Sequence, residues 1–244
     1  MNNCAKMFVV ASAFAVSASS AYAVDYLLEA GQTDTISTNV TYAKMDIYGN
    51  LSVYVPGGTK SANKKSVRFT SSLNLIGGSL TIDPQGQGSY FQFGYSGGND
   101  DPASIVNITN GVDGSFGSIS IRNINAAVDT SLCCEMLIIR KEGEGTAPEN
   151  GIIDFARIEN GCLFARQLYN YSSCTGRVTI AGGGVSYFCR RGKSSISNFI
   201  ENGPFIVQLE DSSLWRCYFY NNRGDFNKED EVVHSEGNGH VAFS

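Results

Sequence analysis

The chain has 244 residues, 42% of them hydrophobic and only 17% charged, with a formal net charge of −5. That is enough for one sizeable core, and the acidic balance excludes the basic footprint of a nucleic-acid-binding protein. With 27 glycines, 5 prolines and many β-branched and aromatic residues, the composition favours short strands joined by tight turns over long helices.

Residues 1–23 read as a secretory signal peptide. Lys6 is a lone positive charge, Met7 to Val16 is a short apolar run, and Ala21-Tyr22-Ala23 is an A-x-A cleavage site. The run is shorter than the roughly 20 residues a bilayer-spanning helix takes. Cys4 lies before the run, which argues against a lipid anchor there. Cleavage after Ala23 leaves 24–244, starting at Val24, with no later segment apolar enough to span a membrane. The expected location is extracellular or on an outer-membrane surface. Export places the remaining cysteines, Cys133, Cys134, Cys162, Cys174, Cys189 and Cys217, in an oxidising compartment. Six cysteines allow 15 pairings, and burial as small apolar residues is an equal reading.

The predicted strands follow in chain order. Leu51-Ser52-Val53-Tyr54-Val55 alternates apolar and polar, as do Leu73 to Leu75 and Leu80 to Ile82 on either side of Gly77-Gly78. Val106 to Thr109 and Ile119 to Arg122 come next. Glycine turns separate them, at Gly57-Gly58, Gly77-Gly78, Gly97-Gly98, Gly114 and Gly117. Residues 24–150 are the less regular part of the domain.

Residues 151–244 carry the clearest repeats. Ile158-Glu159-Asn160-Gly161 recurs as Ile200-Glu201-Asn202-Gly203, with Ile180 to Gly183 between them and Tyr220 to Arg223 after them. The starts at 158, 180, 200 and 220 predict a solenoid with coils of about 20 residues. Ile158 and Ile180 head their coils and point inward. Asn160 and Gly182, two positions on, suit a left-handed turn, and stacked asparagines can hydrogen-bond from coil to coil.

Phe199-Ile200-Glu201-Asn202 and Phe219-Tyr220-Asn221-Asn222 both read F-x-x-N, one predicted coil apart, and Gly182-Gly183-Gly184-Val185 is close to G-G-A-[I/L/V]. Over residues 150–244 the chain resembles the chlamydial polymorphic outer-membrane proteins, autotransporters with a β-helix passenger associated with adhesion to host cells. The resemblance implies an all-β, right-handed parallel β-helix and an adhesin-like binding role. The sequence departs from that pattern in three places. Phe155 precedes Asn160 by five positions instead of three, residues 24–130 hold no F-x-x-N, and no translocator barrel is visible. Val241 to Ser244 starts a further apolar segment, which predicts truncation in mid-coil or a partner chain covering that end.

No residues are assigned to catalysis, a cofactor or a metal. Asp100-Asp101 sits in a turn, and neighbours on a strand would face opposite ways. Gly143-Glu144-Gly145 lacks the strand-to-helix context of a nucleotide loop. His234 and His240 are six apart in a polar tail, which is not a metal-pair spacing. Arg190-Arg191-Gly192-Lys193 could meet an anionic glycan or lipid head group, but reads first as a solvated turn, as do Lys60, Lys64 and Lys65. Tyr187, Trp215, Tyr218 and Tyr220 are contact-prone aromatics, about half of them facing inward by alternation. The functional expectation is a surface β-helix that binds a host-cell or glycan ligand. The alternative is a pectate-lyase-like carbohydrate-active enzyme, which needs acidic groups converging on one sheet face.

Overall fold

The computed structural model describes residues 23–55, 65–83, 91–94, 104–122, 130–142, 151–183, 185–189, 201–202, 204–210, 214–218, 229–234 and 239–243. The signal-peptide reading at 1–22 therefore lies outside the described residues. Among the described residues there are 19 strands and no helix. The first are β1 (Val24–Leu28), β2 (Thr33–Ile36), β3 (Val40–Ile47), β4 (Asn50–Val53), β5 (Lys65–Ile76), β6 (Ser79–Ile82) and β7 (Phe91–Gly94). Next come β8 (Ile105–Thr109), β9 (Ser118–Arg122), β10 (Thr130–Ile139), β11 (Ile152–Glu159), β12 (Cys162–Asn170) and β13 (Thr175–Ala181). The last are β14 (Val185–Cys189), β15 (Glu201–Asn202), β16 (Phe205–Leu209), β17 (Leu214–Tyr218), β18 (Glu229–His234) and β19 (Gly239–Phe243).

Two sheets share these strands. The first sheet has 11 strands, along the path β1-β3-β5-β7-β10-β12-β14-β17-β18, with β8 beside β5 and β10, and β15 beside β12. The second has eight, in the order β2-β4-β6-β9-β11-β13-β16-β19. The chain crosses from one sheet to the other and returns next to its previous strand. A parallel pair needs a crossover between its members, and here a strand of the opposite sheet supplies it. Among the described strands only β18 on β17 and β19 on β16 run antiparallel. The segment expected to begin another coil near Phe243 instead reverses direction.

Alternation decides what faces inward. Along the second sheet Ile36, Val53, Ile82, Ile121, Ile158, Ile180 and Leu209 lie in register and are all buried. Along the first, Leu28, Ile47, Leu75, Ile108 and Ile139 do the same. Every circuit thus adds one layer of aliphatic side chains to a single elongated core. Truncating one of them to alanine costs about 2–5 kcal/mol through lost burial and the cavity left behind. Phe155 lies in the later part of the core, edge-on to Phe188 and Phe205 at 6.1 and 5.9 Å between ring centres.

The register corrects the expectation of an even coil. Ile158 pairs with Ile180, close to the expected step, but Ile180 pairs with Leu209, a much longer one. Among the described strands the shortest circuit runs from Thr33 to Asn50, and the longest, from Leu80 to Ile119 and from Phe91 to Thr130, go more than twice as far along the chain. The two I-E-N-G copies are not in phase. Ile158 and Glu159 end β11 in the second sheet, whereas Asn202 lies opposite Tyr169 in the first. The reason is local: an apolar residue followed by an acid, Asn and Gly is what any inward-facing strand looks like as it enters a tight turn. Such turns occur at the edges of both sheets. Phe199, Phe219 and Asn222 lie outside the described residues.

Asn160 and Gly182 do share a corner, after β11 and β13, with φ of 56° and 87°. Asn160 is the one described non-glycine residue with positive φ. Its amide N–H donates to Ser186 Oγ at 2.9 Å. The coil-to-coil amide ladder forms elsewhere, on the outer face of the first sheet. Asn107 Nδ2 donates to Asn74 Oδ1 (2.7 Å), Asn74 Nδ2 to Asp46 Oδ1 (2.6 Å), and Asp46 pairs with Lys44.

Candidate functional site

Close packing of successive corners leaves no room for side chains at one edge of the winding. A Cβ on Gly49 would lie 2.3 Å from the Gln32 carbonyl oxygen, on Gly78 2.5 Å from that of Ile47, and on Gly117 2.3 Å from that of Leu75. Glycine is required at each of these three corners by contact with the circuit beneath. Where side chains are missing over several layers, a trough opens. It encloses about 630 Å³ and is lined by Gly31, Tyr48, Ile76, Gly77, Val112 and Glu142, among others.

One wall of this trough is an enlarged corner. Gly77 and Gly78 alone connect β5 to β6, but the whole stretch from Asn110 to Gly117 is needed to connect β8 to β9. The extra residues form a small hairpin, with an antiparallel bridge between Asn110 and Phe116 and a Gly111 N–H to Ser115 carbonyl bond of 2.8 Å. Asp113 Oδ1 accepts from Ser115 Oγ (2.6 Å) and from Ser115 N–H (3.0 Å). Those two bonds hold the Asp113 carboxyl below its usual range. At the tip Val112 is fully exposed. The hairpin is anchored to the next circuit by buried Asn110, which donates to the Glu142 carbonyl (2.8 Å) and accepts from the Glu142 N–H (2.7 Å).

The charges of the trough differ from those elsewhere. On the outer face of the second sheet Arg157 bonds Glu159 (2.9 Å) and Glu210 (2.8 Å), Arg122 lies 3.4 Å from Glu159, and Arg177 pairs with Asp154. Asp113 and Glu142 have no cationic partner among the described residues. Tyr48, 41% exposed, completes the apolar side.

The sequence-selected residues fall elsewhere. Ile158 and Ile180 are core, and Asn160 and Gly182 are corner residues. His234 and His240 lie in different sheets, opposite Leu214 and Gln208, so the fold does not bring them together. Tyr187 and Trp215 are in adjacent first-sheet strands, and Tyr218 lies opposite Glu229. Asp100, Asp101, Gly143 to Gly145, Arg190 to Lys193, Lys60, Lys64 and Tyr220 lie outside the described residues. Lys65 begins β5. Cys134, Cys162 and Cys174 are buried, and Cys174 carries a free thiol. Among the described residues no three His, Cys, Asp or Glu side chains gather where they could hold a metal ion. Tyr48, Val112 and Glu142 had no motif to mark them. The available signal was the unequal length of two glycine corners, Gly77-Gly78 against Asn110 to Gly117.

No protein-family model matches this chain, and neither a curated protein nor a solved structure matches it.

Proposed function

We propose that the chain is the right-handed parallel β-helix of an exported surface protein, and that it works by binding rather than by catalysis. Several features support this reading. Two parallel sheets are wound by a chain that alternates between them, which is how a β-helix buries one long core with short strands. Outward positions stand in columns, such as Asp46, Asn74 and Asn107, so polar groups are displayed at layer spacing. The observation that carries the binding role is the corner trough. It is a concave, partly apolar surface whose carboxylates have no cationic partner among the described residues. The leader ending at Ala23 supports export, and the F-x-x-N pairs support an adhesin-like passenger on an outer membrane.

Two measurements test the proposal. The secreted protein, subjected to N-terminal sequencing, should begin at Val24; retention of residues 1–23 would contradict export by a cleaved leader. Purified residues 24–244 should bind cultured host-type cell monolayers saturably and release no sugar from polygalacturonate. The appearance of unsaturated or reducing ends would replace the binding role with the carbohydrate-active one.

A further inference from the structure

We propose that the corner trough binds an extended partner segment carrying lysine or arginine, with the cationic side chain held between Tyr48 and the carboxylates of Asp113 and Glu142. This rests on reading the chain as a binding protein and names the chemistry of its partner.

Complementarity carries the argument. On the second sheet's outer face Arg122, Arg157 and Arg177 are all paired, with Glu159, Glu210 and Asp154, so acids and bases balance there. The trough is the opposite case: two carboxylates, an exposed tyrosine ring and an exposed valine, with no Lys or Arg among the described lining residues. Lysine and arginine match that set. Their methylene stems lie along apolar surface while the charged head reaches a carboxylate, and a tyrosine face adds attraction for the cation. Shape points to an extended segment. The lining comes from successive circuits, from Gly31 through Tyr48, Gly77 and Val112 to Glu142, so the trough follows the long axis. Its walls are also pre-formed. The Asp113 carboxylate is fixed by two Ser115 bonds, and the hairpin is tied to the next circuit through Asn110. Little ordering cost falls on the receptor side.

The test is fluorescence anisotropy of a labelled Ser-Lys-Gly-Arg-Ser peptide with blocked ends, titrated with the full chain at low salt. Saturable binding is expected, weakening as salt rises. Glu142→Gln and Tyr48→Ala should each weaken it about five-fold. Glu210→Gln, the same charge change on the other sheet, should leave it unaltered. These side chains are at the surface, so thermal melts of the variants should match the parent. Equal weakening by Glu210→Gln would mean bulk charge and overturn the site, as would binding indifferent to Glu142→Gln and Tyr48→Ala. A neutral hexasaccharide binding in place of the peptide, and sensitive to Tyr48→Ala, would also overturn it. Cell binding that survives both trough variants would leave the general binding role intact and remove the trough as its seat.

Discussion

At the mouth of the winding Asp34 stands in the column that Leu51, Leu80 and Ile119 fill further in. On the facing sheet Tyr26 stands where Met45, Leu73, Val106 and Leu137 follow. The interior members are buried, whereas Asp34 is exposed and accepts a 2.7 Å hydrogen bond from the Tyr26 hydroxyl across the opening. The difference shows how one architecture handles two boundary conditions. Inside, a layer must match the layers on both sides. No described strand lies on one side of the first described layer, and a charge in an inward position keeps the edges of β1 and β2 from pairing with another sheet. Tyr26 and Asp34 bridge the two sheets where no further described aliphatic layer does so.

Exchanging the two situations should have the largest effect. Leu80→Asp puts the mouth's residue into the interior, where a buried carboxylate has no partner. We expect a loss of more than about 4 kcal/mol and no soluble folded protein. A cooperative melt near that of the parent would mean the column is not buried.

Gly117→Ala comes next. Its Cβ would meet the Leu75 carbonyl oxygen, and backbone must move to admit it, so about 3 kcal/mol should be lost in urea unfolding. The same change at Gly31, where nothing lies within 4 Å of the added Cβ, should cost less even though its φ of +76° is strained for alanine.

Smaller effects belong to the mouth. Tyr26→Phe removes one exposed hydrogen bond and should cost at most about 1 kcal/mol. It should also change the alkaline limb of stability. Partial burial first, and then the bond to Asp34 and its charge, hold the Tyr26 phenol well above its usual range. Tyr42 is raised in the same way, by burial and by Asp34. A raised phenol means the folded state keeps its proton when the unfolded chain gives it up. Stability should therefore be intact below about pH 10, the ordinary tyrosine value, and fall above it. Stability measured by urea from about pH 8 to 11 should fall less steeply in Tyr26→Phe; an unchanged slope would assign the effect elsewhere.

Asp34→Leu should have the smallest effect on stability, at most about 1 kcal/mol. Its visible consequence should be association through the edges of β1 and β2, read as a concentration-dependent mass in light scattering. A variant that stays at the parent's mass would show that Asp34 does not guard the edge.

The sequence made the strands legible because burial follows a period of two. Leu51 and Val53, Leu73 and Leu75, Leu80 and Ile82, Val106 and Ile108, and Ile119 and Ile121 are each buried pairs at alternating positions. Phase between circuits was not legible. It depends on how many residues each connection inserts, and Ile158-Glu159-Asn160-Gly161 has the same local form whichever sheet it closes. Gly77, Gly78, Gly114 and Gly117 could be read as turns, but their stacking into a corner depends on register across the long circuit from Leu80 to Ile119. The trough was hidden for the same reason. Tyr48, Val112 and Glu142 are distant in sequence, and only the winding brings them to one edge.

The central claim is the uneven register that replaces a constant repeat. It is tested most directly by Thr179→Cys combined with Gln208→Cys, directly opposite each other in β13 and β16. Neighbouring strands lie about 4.8 Å apart, within the range a disulfide can bridge. Mild oxidation followed by peptide mass mapping should find the two introduced thiols joined within one chain. A cross-link formed instead by Thr179→Cys with Phe199→Cys, the pair that an even repeat would align, and absent from the first pair, would contradict the winding described above.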